Sequence, residues 1–267
     1  MKIFKKIASL FGCEDICKSG EDEDRFLPIA GTTPPSVSVV IVGMEYSKRF
    51  GACPGAERDA QNMKEMLRAY STDMNYIPHE KATKRTVVAA LKKAVESDLC
   101  IFCYSGHGGS ETFSDTGPEE IDKKDEFLCL YDTYLRDNEI WKILEEAKGR
   151  VFLYFDCCHS SDMFRVQNPF ALGYSGVTSR DPKGKTLYVA SDKVNALVWA
   201  GCHESTVSWG SPAGGELTNA VRKHYDRSLT YDQLWEKVAT DRKLLNAQIP
   251  YRVIIGNQDF SSNYIFT

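Results

Sequence analysis

The sequence predicts an α/β fold, with a central, mostly parallel sheet of about six strands flanked by helices on both faces. Three observations predict it. Residues 37–42, 99–104, 151–155 and 186–190 form short runs that are continuously apolar or aromatic, the pattern of strands buried on both faces of a parallel sheet. Stretches with apolar residues at helical spacing lie between them, and strands that alternate with helices imply crossover connections. At 267 residues, 42% hydrophobic and 26% charged, the chain suits one large domain better than two small ones.

Along the chain, residues 1–35 read as an arm and linker, a candidate short prodomain. The acidic run Glu21-Asp22-Glu23-Asp24 and the stretch from Gly31 to Pro35 carry too little apolar surface to fold alone. Residues 1–11 are basic and then apolar. The apolar part, 7–11, is shorter than the roughly 7–15 residues of an export signal, so an amphipathic arm is expected. The globular part is expected over 36–267. Residues 56–70 place Ala60, Met63, Met66, Leu67 and Tyr70 on one helical face. Thr83 is the expected N-cap of a helix over 84–96. Further helices are expected at 137–147, 217–225 and 231–245, and closing strands at 251–255 and 264–266. The run 127–131 is a fifth and more ambiguous candidate for such a strand-like run. The polar stretch 161–185 is long for a loop, and such loops are usually functional or disordered.

Composition excludes several classes of function. A net charge of -4 with no basic stripe interleaved with aromatics argues against nucleic acid as a partner. No apolar run reaches the roughly 18 residues needed to span a bilayer. Nine cysteines, several inside apolar runs, suit reduced thiols and a cytoplasmic protein rather than a disulfide framework. No glycine-rich phosphate loop follows the first strand. A monomer is expected.

The chemistry concentrates in two segments, each ending a predicted central strand: Cys103-Tyr104-Ser105-Gly106-His107-Gly108-Gly109 and Phe155-Asp156-Cys157-Cys158-His159-Ser160. Open parallel sheets collect their sites outside the carboxyl ends of the strands. A thiol near pKa 8.5 needs a base to become a nucleophile, and an imidazole can take that proton and return it to a leaving amine. The glycines around His107 leave its ring uncovered. The backbone N–H of Gly108, with that of Cys158, is the candidate oxyanion site. Zinc is the rival for a Cys-Cys-His cluster, but no second cysteine pair at finger-like spacing completes four ligands.

Tyr104-Ser105-Gly106-His107-Gly108 and Asp156-Cys157-Cys158-His159-Ser160 resemble the histidine and cysteine motifs of metacaspases and related caspase-like peptidases. The caspase histidine stands about 50 residues before its cysteine, as His107 does before Cys158. The resemblance extends over roughly 36–267, through Gly55-Ala56-Glu57-Arg58-Asp59-Ala60, Leu135-Arg136-Asp137-Asn138-Glu139-Ile140 and Gly214-Gly215-Glu216-Leu217-Thr218. It implies the caspase-hemoglobinase fold and a cysteine endopeptidase acting through a covalent thioester. It selects Cys158 over Cys157 as nucleophile, with His107 as acid–base partner and Cys157 left to core packing. Metacaspases cleave after arginine or lysine, and the matching acidic residues are Asp59 and Asp156, with Asp192 a weaker third. Two carboxylates in one pocket would hold a guanidinium bidentately. Protein or peptide substrates with a basic residue before the cut are the implied partners.

No cofactor is required for this chemistry, but many metacaspases need calcium, and Asp122, Asp137 and Glu139 are the candidate ligands for it as an activator. Asn138 stands where the family often has a second aspartate, which removes one charge. Arg165, Arg180, Lys183 and Lys185, or Lys18 and Arg25 in the arm, are candidate self-cleavage sites. The usual glycine after the motif serine is replaced by Ser161-Asp162. The rival readings are a catalytically silent caspase-like binding module and a clostripain- or separase-like peptidase.

Overall fold

The structure, a computed structural model, describes residues 35–47, 51–111, 125–157, 177–180, 186–201 and 210–267. The arm over 1–34 and most of the 161–185 stretch, with Arg165, Lys183 and Lys185, lie outside the described residues, as do Lys18 and Arg25.

Among the described residues the elements run β1 (Val37–Gly43), α1 (Ala56–Leu67), β2 (Asp73–Ile77), α2 (Lys84–Ala94), β3 (Leu99–Ser105), β4 (Gly108–Glu111), β5 (Asp125–Cys129), β6 (Tyr134–Arg136), α3 (Asp137–Leu144) and β7 (Arg150–Asp156). They continue with β8 (Val177–Arg180), β9 (Thr186–Val189), β10 (Ala196–Ala200), α4 (Glu216–His224), α5 (Tyr231–Ala239), α6 (Arg242–Ala247) and β11 (Tyr251–Ile255). The main sheet has eight strands, not six, in the order β8-β9-β11-β10-β7-β3-β1-β2. From β2 through β10 all neighbours are parallel, and the direction reverses between β10 and β11.

The apolar runs became strands because both faces are covered. On β3, Cys100, Phe102 and Tyr104 join the core under α2 and α3 with Val87, Leu91 and Ile140. Leu99, Ile101 and Cys103 join the opposite core under α1, α4 and α5 with Met63, Leu217 and Trp235. Both sets are almost fully buried, so a period-2 strand has no polar face to show. Thr83 caps α2 as its sequence predicts, accepting the Thr86 N–H at 3.2 Å.

The sequence-based expectations need four corrections. β2 alternates exposed and half-buried residues because it is the sheet's edge, so it lacked the continuous apolar signal. β10 is fully buried, but a five-residue apolar run has no period that separates strand from helix. The helix expected over 231–245 is two helices. Asp241 ends the first by capping the second, its Oδ1 accepting the N–H groups of Lys243 and Leu244 at 2.9 and 3.1 Å. Residues 264–266 form no strand, only a single bridge between Tyr264 and Thr230. The ambiguous run at 127–131 enters a separate antiparallel sheet of β4, β5 and β6.

Candidate active site

β3 and β7 are adjacent and parallel, and their last register pair is Ser105 with Asp156. His107 follows two residues after one member of that pair. Cys158 follows two residues after the other and lies outside the described residues. Cys157 is described: it is buried on the α2–α3 side of the sheet with Phe155, the packing position expected of it.

Gly106 turns the chain out of β3. A Cβ there would stand 2.7 Å from the Tyr104 hydroxyl and 2.8 Å from the Met44 Cβ, so only glycine fits. The Tyr104 hydroxyl lies 2.7 Å from the His107 carbonyl and 2.8 Å from that of Cys129, and the Cys129 N–H donates to the His107 carbonyl at 2.9 Å. The backbone of His107 is therefore fixed by the buried phenol and by β5. Its ring is held from the other side, with Nε2 3.1 Å from the carbonyl oxygen of Ala52. A carbonyl only accepts, so Nε2 bears the proton and Nδ1 is the nitrogen with the basic lone pair.

The Cys129-to-His107 bond also fixes the phase of the β4–β5 ladder. Hydrogen-bonded and non-hydrogen-bonded pairs alternate in antiparallel strands, and Gly108 pairs with Leu128 one step further on. The Gly108 N–H therefore points away from β5.

Asp59 on the first turn of α1 and Asp156 at the end of β7 are 2% and 5% exposed, and the structure brings them together. The Asp59 carboxylate accepts the Gly215 N–H at 2.9 Å and the Ser105 hydroxyl at 2.8 Å. Asp156 Oδ2 accepts the Thr218 N–H at 3.0 Å and the Thr218 hydroxyl at 2.9 Å. Both N–H groups belong to the start of α4, where unpaired donors and the helix dipole favour negative charge. A Cβ on Gly214 would stand 2.5 Å from Asp59 Oδ1, and one on Gly215 would stand 2.2 Å from Asp156 Oδ2. The glycine pair is what lets α4 begin against two carboxylates.

Those donors do not offset burial at Asp59. Hydrogen bonds to a charged group contribute about 1.5–3 kcal/mol each. Removing a carboxylate from water costs several kcal/mol, and the charge of Asp156 adds to it. Burial first and Asp156 second push the Asp59 carboxyl up to about 8.

Asp192 does not join this pair. It follows β9, which runs opposite to β7, and so lies at the other edge of the sheet in a cleft with Asp98, Lys148 and Arg150. Asp137 is buried, its Oδ1 accepting the Asn138 N–H at 2.7 Å. Glu139 is committed elsewhere: Oε1 lies 2.7 Å from Lys84 Nζ and Oε2 accepts the Arg136 N–H at 3.1 Å. Asp122 lies outside the described residues. Among the described residues no three His, Cys, Asp or Glu side chains come together as a metal site. Calcium held through Glu139 would have to displace Lys84. Arg180 lies on edge strand β8, paired with Leu187.

Sequence reasoning missed Ala52, Ser105, Tyr154 and Thr218. Ala52 acts through its backbone and carries no side-chain signal. Ser105, inside the histidine motif, was the one legible from its position. Among the described residues no helix is long and apolar enough to cross a membrane.

The model of the caspase domain family matches residues 36–260. Metacaspase-1A of Aspergillus fumigatus is 24% identical over 242 residues, covering 68% of this chain and 58% of that protein. Metacaspase-1B of Neurospora crassa is 28% identical over 142 residues, covering 45% of this chain and 33% of that one. The chain thus spans less than two thirds of the length of these fungal relatives. Among solved structures, a Geobacter sulfurreducens protein superposes with a TM-score of 0.64 at 21% identity, over 88% of this chain and 99% of that one. Caspase-1 of Spodoptera frugiperda does so with a TM-score of 0.51 at 11% identity, over 86% and 95%. The likeness to the caspase establishes the caspase-like α/β fold. With the family model matching most of its length, the chain belongs to the caspase domain family.

Proposed function

We propose that this chain is a cysteine endopeptidase that cleaves proteins or peptides after arginine or lysine, with Cys158 as nucleophile and His107 as acid–base partner. The observation that carries the reading is the meeting of two buried carboxylates, Asp59 and Asp156, at the strand ends that bear His107 and lead into Cys158. Burying two carboxyl groups together keeps a proton on Asp59, and a cationic side chain of the substrate would favour its ionised form.

His107 takes the thiol proton of Cys158, and the thiolate attacks the carbonyl carbon of the scissile bond. The oxyanion that forms accepts hydrogen bonds from the Gly108 and Cys158 N–H groups. His107 then returns the proton to the departing amine, which leaves a thioester on Cys158. Water, deprotonated by the same imidazole, hydrolyses the thioester and restores the thiol. The Ala52 carbonyl supports the reading, because it keeps the proton on Nε2 and the ring oriented. Every step uses this chain's own groups, and none passes through calcium.

An irreversible peptide inhibitor with arginine at its reactive end tests the reading. Mass spectrometry is expected to find it on Cys158, with labelling lost in His107→Ala. Wild-type protein that takes no label, or that cuts only after aspartate in a fluorogenic panel, would overturn it. Self-cleavage is read in the same way, by comparing fragments of wild type and Cys158→Ala after storage.

A further inference from the structure

Beyond the two carboxylates, the structure holds a buried chain of hydroxyls behind them. Thr218 is wholly buried in α4, and its hydroxyl lies 2.9 Å from Asp156 Oδ2 and 2.9 Å from the Tyr154 hydroxyl. A threonine hydroxyl has one proton. The carboxylate can only accept, so that proton goes to Asp156, and Tyr154 must donate to Thr218. The order is therefore Tyr154 to Thr218 to Asp156, each member donating to the next. Tyr154 is itself buried on β7.

We infer that Thr218, backed by Tyr154, is a positioning residue for substrate specificity: it fixes the orientation of the Asp156 carboxylate and so sets the preference for arginine over lysine. The inference rests on the proposed cleavage after basic residues. A guanidinium needs two acceptors in a fixed relation, whereas an ammonium is a point charge that tolerates a turned carboxylate. Asp156 Oδ2 receives two donors from Thr218, one from the backbone and one from the side chain. The backbone N–H and the hydroxyl reach that oxygen from two directions, and together they restrain the turn of the carboxylate. Tyr154 restricts the Thr218 rotamer and polarises its hydroxyl.

The test compares wild type, Thr218→Val, Thr218→Ser and Tyr154→Phe on matched fluorogenic peptides ending in arginine or lysine, with thermal melts to verify folding. Thr218→Val keeps the shape and the N–H and loses only the hydroxyl. It is expected to raise KM for the arginine peptide about tenfold, the effect of one hydrogen bond to a charged group. The arginine-to-lysine ratio of kcat/KM should fall toward one while kcat changes less than KM. Thr218→Ser should restore both values, and Tyr154→Phe should show the same change at about threefold. An unchanged ratio in Thr218→Val, or equal losses in Thr218→Val and Thr218→Ser, overturns the role of Thr218 while leaving cleavage after basic residues intact. Wild-type protein that ignores both peptides overturns the basic specificity, and the role of Thr218 with it.

Discussion

The two ends of the central strands both carry carboxylates, and they treat them in opposite ways. At the carboxyl ends, Asp59 and Asp156 are buried, face one another and rest on N–H groups of α4. At the amino ends, Asp98 and Asp192 line a cleft of about 530 Å³ with Lys148, Arg150 and Lys193, open to water. Asp98 accepts the N–H and hydroxyl of Ser36, each at 2.8 Å, and those bonds hold its carboxyl below the usual range. A carboxyl lowered by its tie to a neighbouring segment is accounted for by structure alone. One raised by burial beside another carboxyl is maintained against its own free energy, and such a group marks a candidate site.

The largest test of this contrast is chemical. His107→Ala should lower kcat by roughly 10²–10⁴-fold, the range for losing a positioned acid–base group, in a fluorogenic peptide assay. Retention of near wild-type turnover would mean that the carboxyl end of the sheet is not where the reaction occurs.

A pair of glycines sharpens the comparison. Gly215→Ala places a Cβ 2.2 Å from Asp156 Oδ2, and Gly149→Ala places one 2.2 Å from the carbonyl oxygen of Asp98. Both are close approaches, one at each edge. Gly215→Ala should reduce kcat/KM on basic peptides by about 100-fold, the cost of a misplacement near 1 Å. Gly149→Ala should destabilise the fold by about 1–3 kcal/mol in denaturant melts, with kcat per folded molecule unchanged. If the two variants lose activity and stability in the same proportion, the edges do not differ in kind.

A smaller effect comes from protons. The Asp59 carboxyl is raised from 3.8 to about 8, so between those values the folded chain holds a proton that the unfolded chain has released. The unfolded state binds fewer protons there, and stability falls as pH rises through that window and levels off above it. Asp59→Asn should flatten this slope when denaturation midpoints are compared at pH 5 and pH 8. The ionised form is also the one that binds a cation, so KM for an arginine peptide should improve as pH rises through about 8. An identical slope in variant and wild type would remove the proton from Asp59. Smallest of all, Asp192→Asn should leave kcat/KM on basic peptides within about twofold, as surface substitutions away from a site do.

Much of this was legible in the sequence because the physics was local. The central strands β1, β3 and β7 are buried on both faces, so hydrophobicity alone gave their positions. Thr83 announced its helix because a cap needs its own side chain. The positions of His107 and Asp156 at the ends of β3 and β7 were readable because each follows a continuously apolar run. What escaped depended on distant segments meeting. The reversal at β11 that removes Asp192 from the site is a matter of strand order, which no local pattern encodes. The split at Asp241 looked like a continuous apolar face, because α5 and α6 both pack on one core. Thr218 stands 62 residues from Asp156 in the chain, and nothing in its neighbourhood shows what its hydroxyl holds.

That separation has a consequence in time as well as in space. The strand leading to Cys158 gains its second neighbour only from β10, and both carboxylates gain their N–H donors only from α4, all of it made later in synthesis than the motif itself. A nascent chain that has just emerged past residue 160 carries the histidine and the cysteine but has an open edge on β7 and two aspartates with nothing to rest against. Pairing across such intervals is slow, because long loops must close before their contacts form. Assembly of the proposed pocket therefore trails synthesis of the proposed nucleophile by more than fifty residues of translation, and under the proposed function a chain interrupted in that interval holds Cys158 without the N–H donors that seat the two carboxylates.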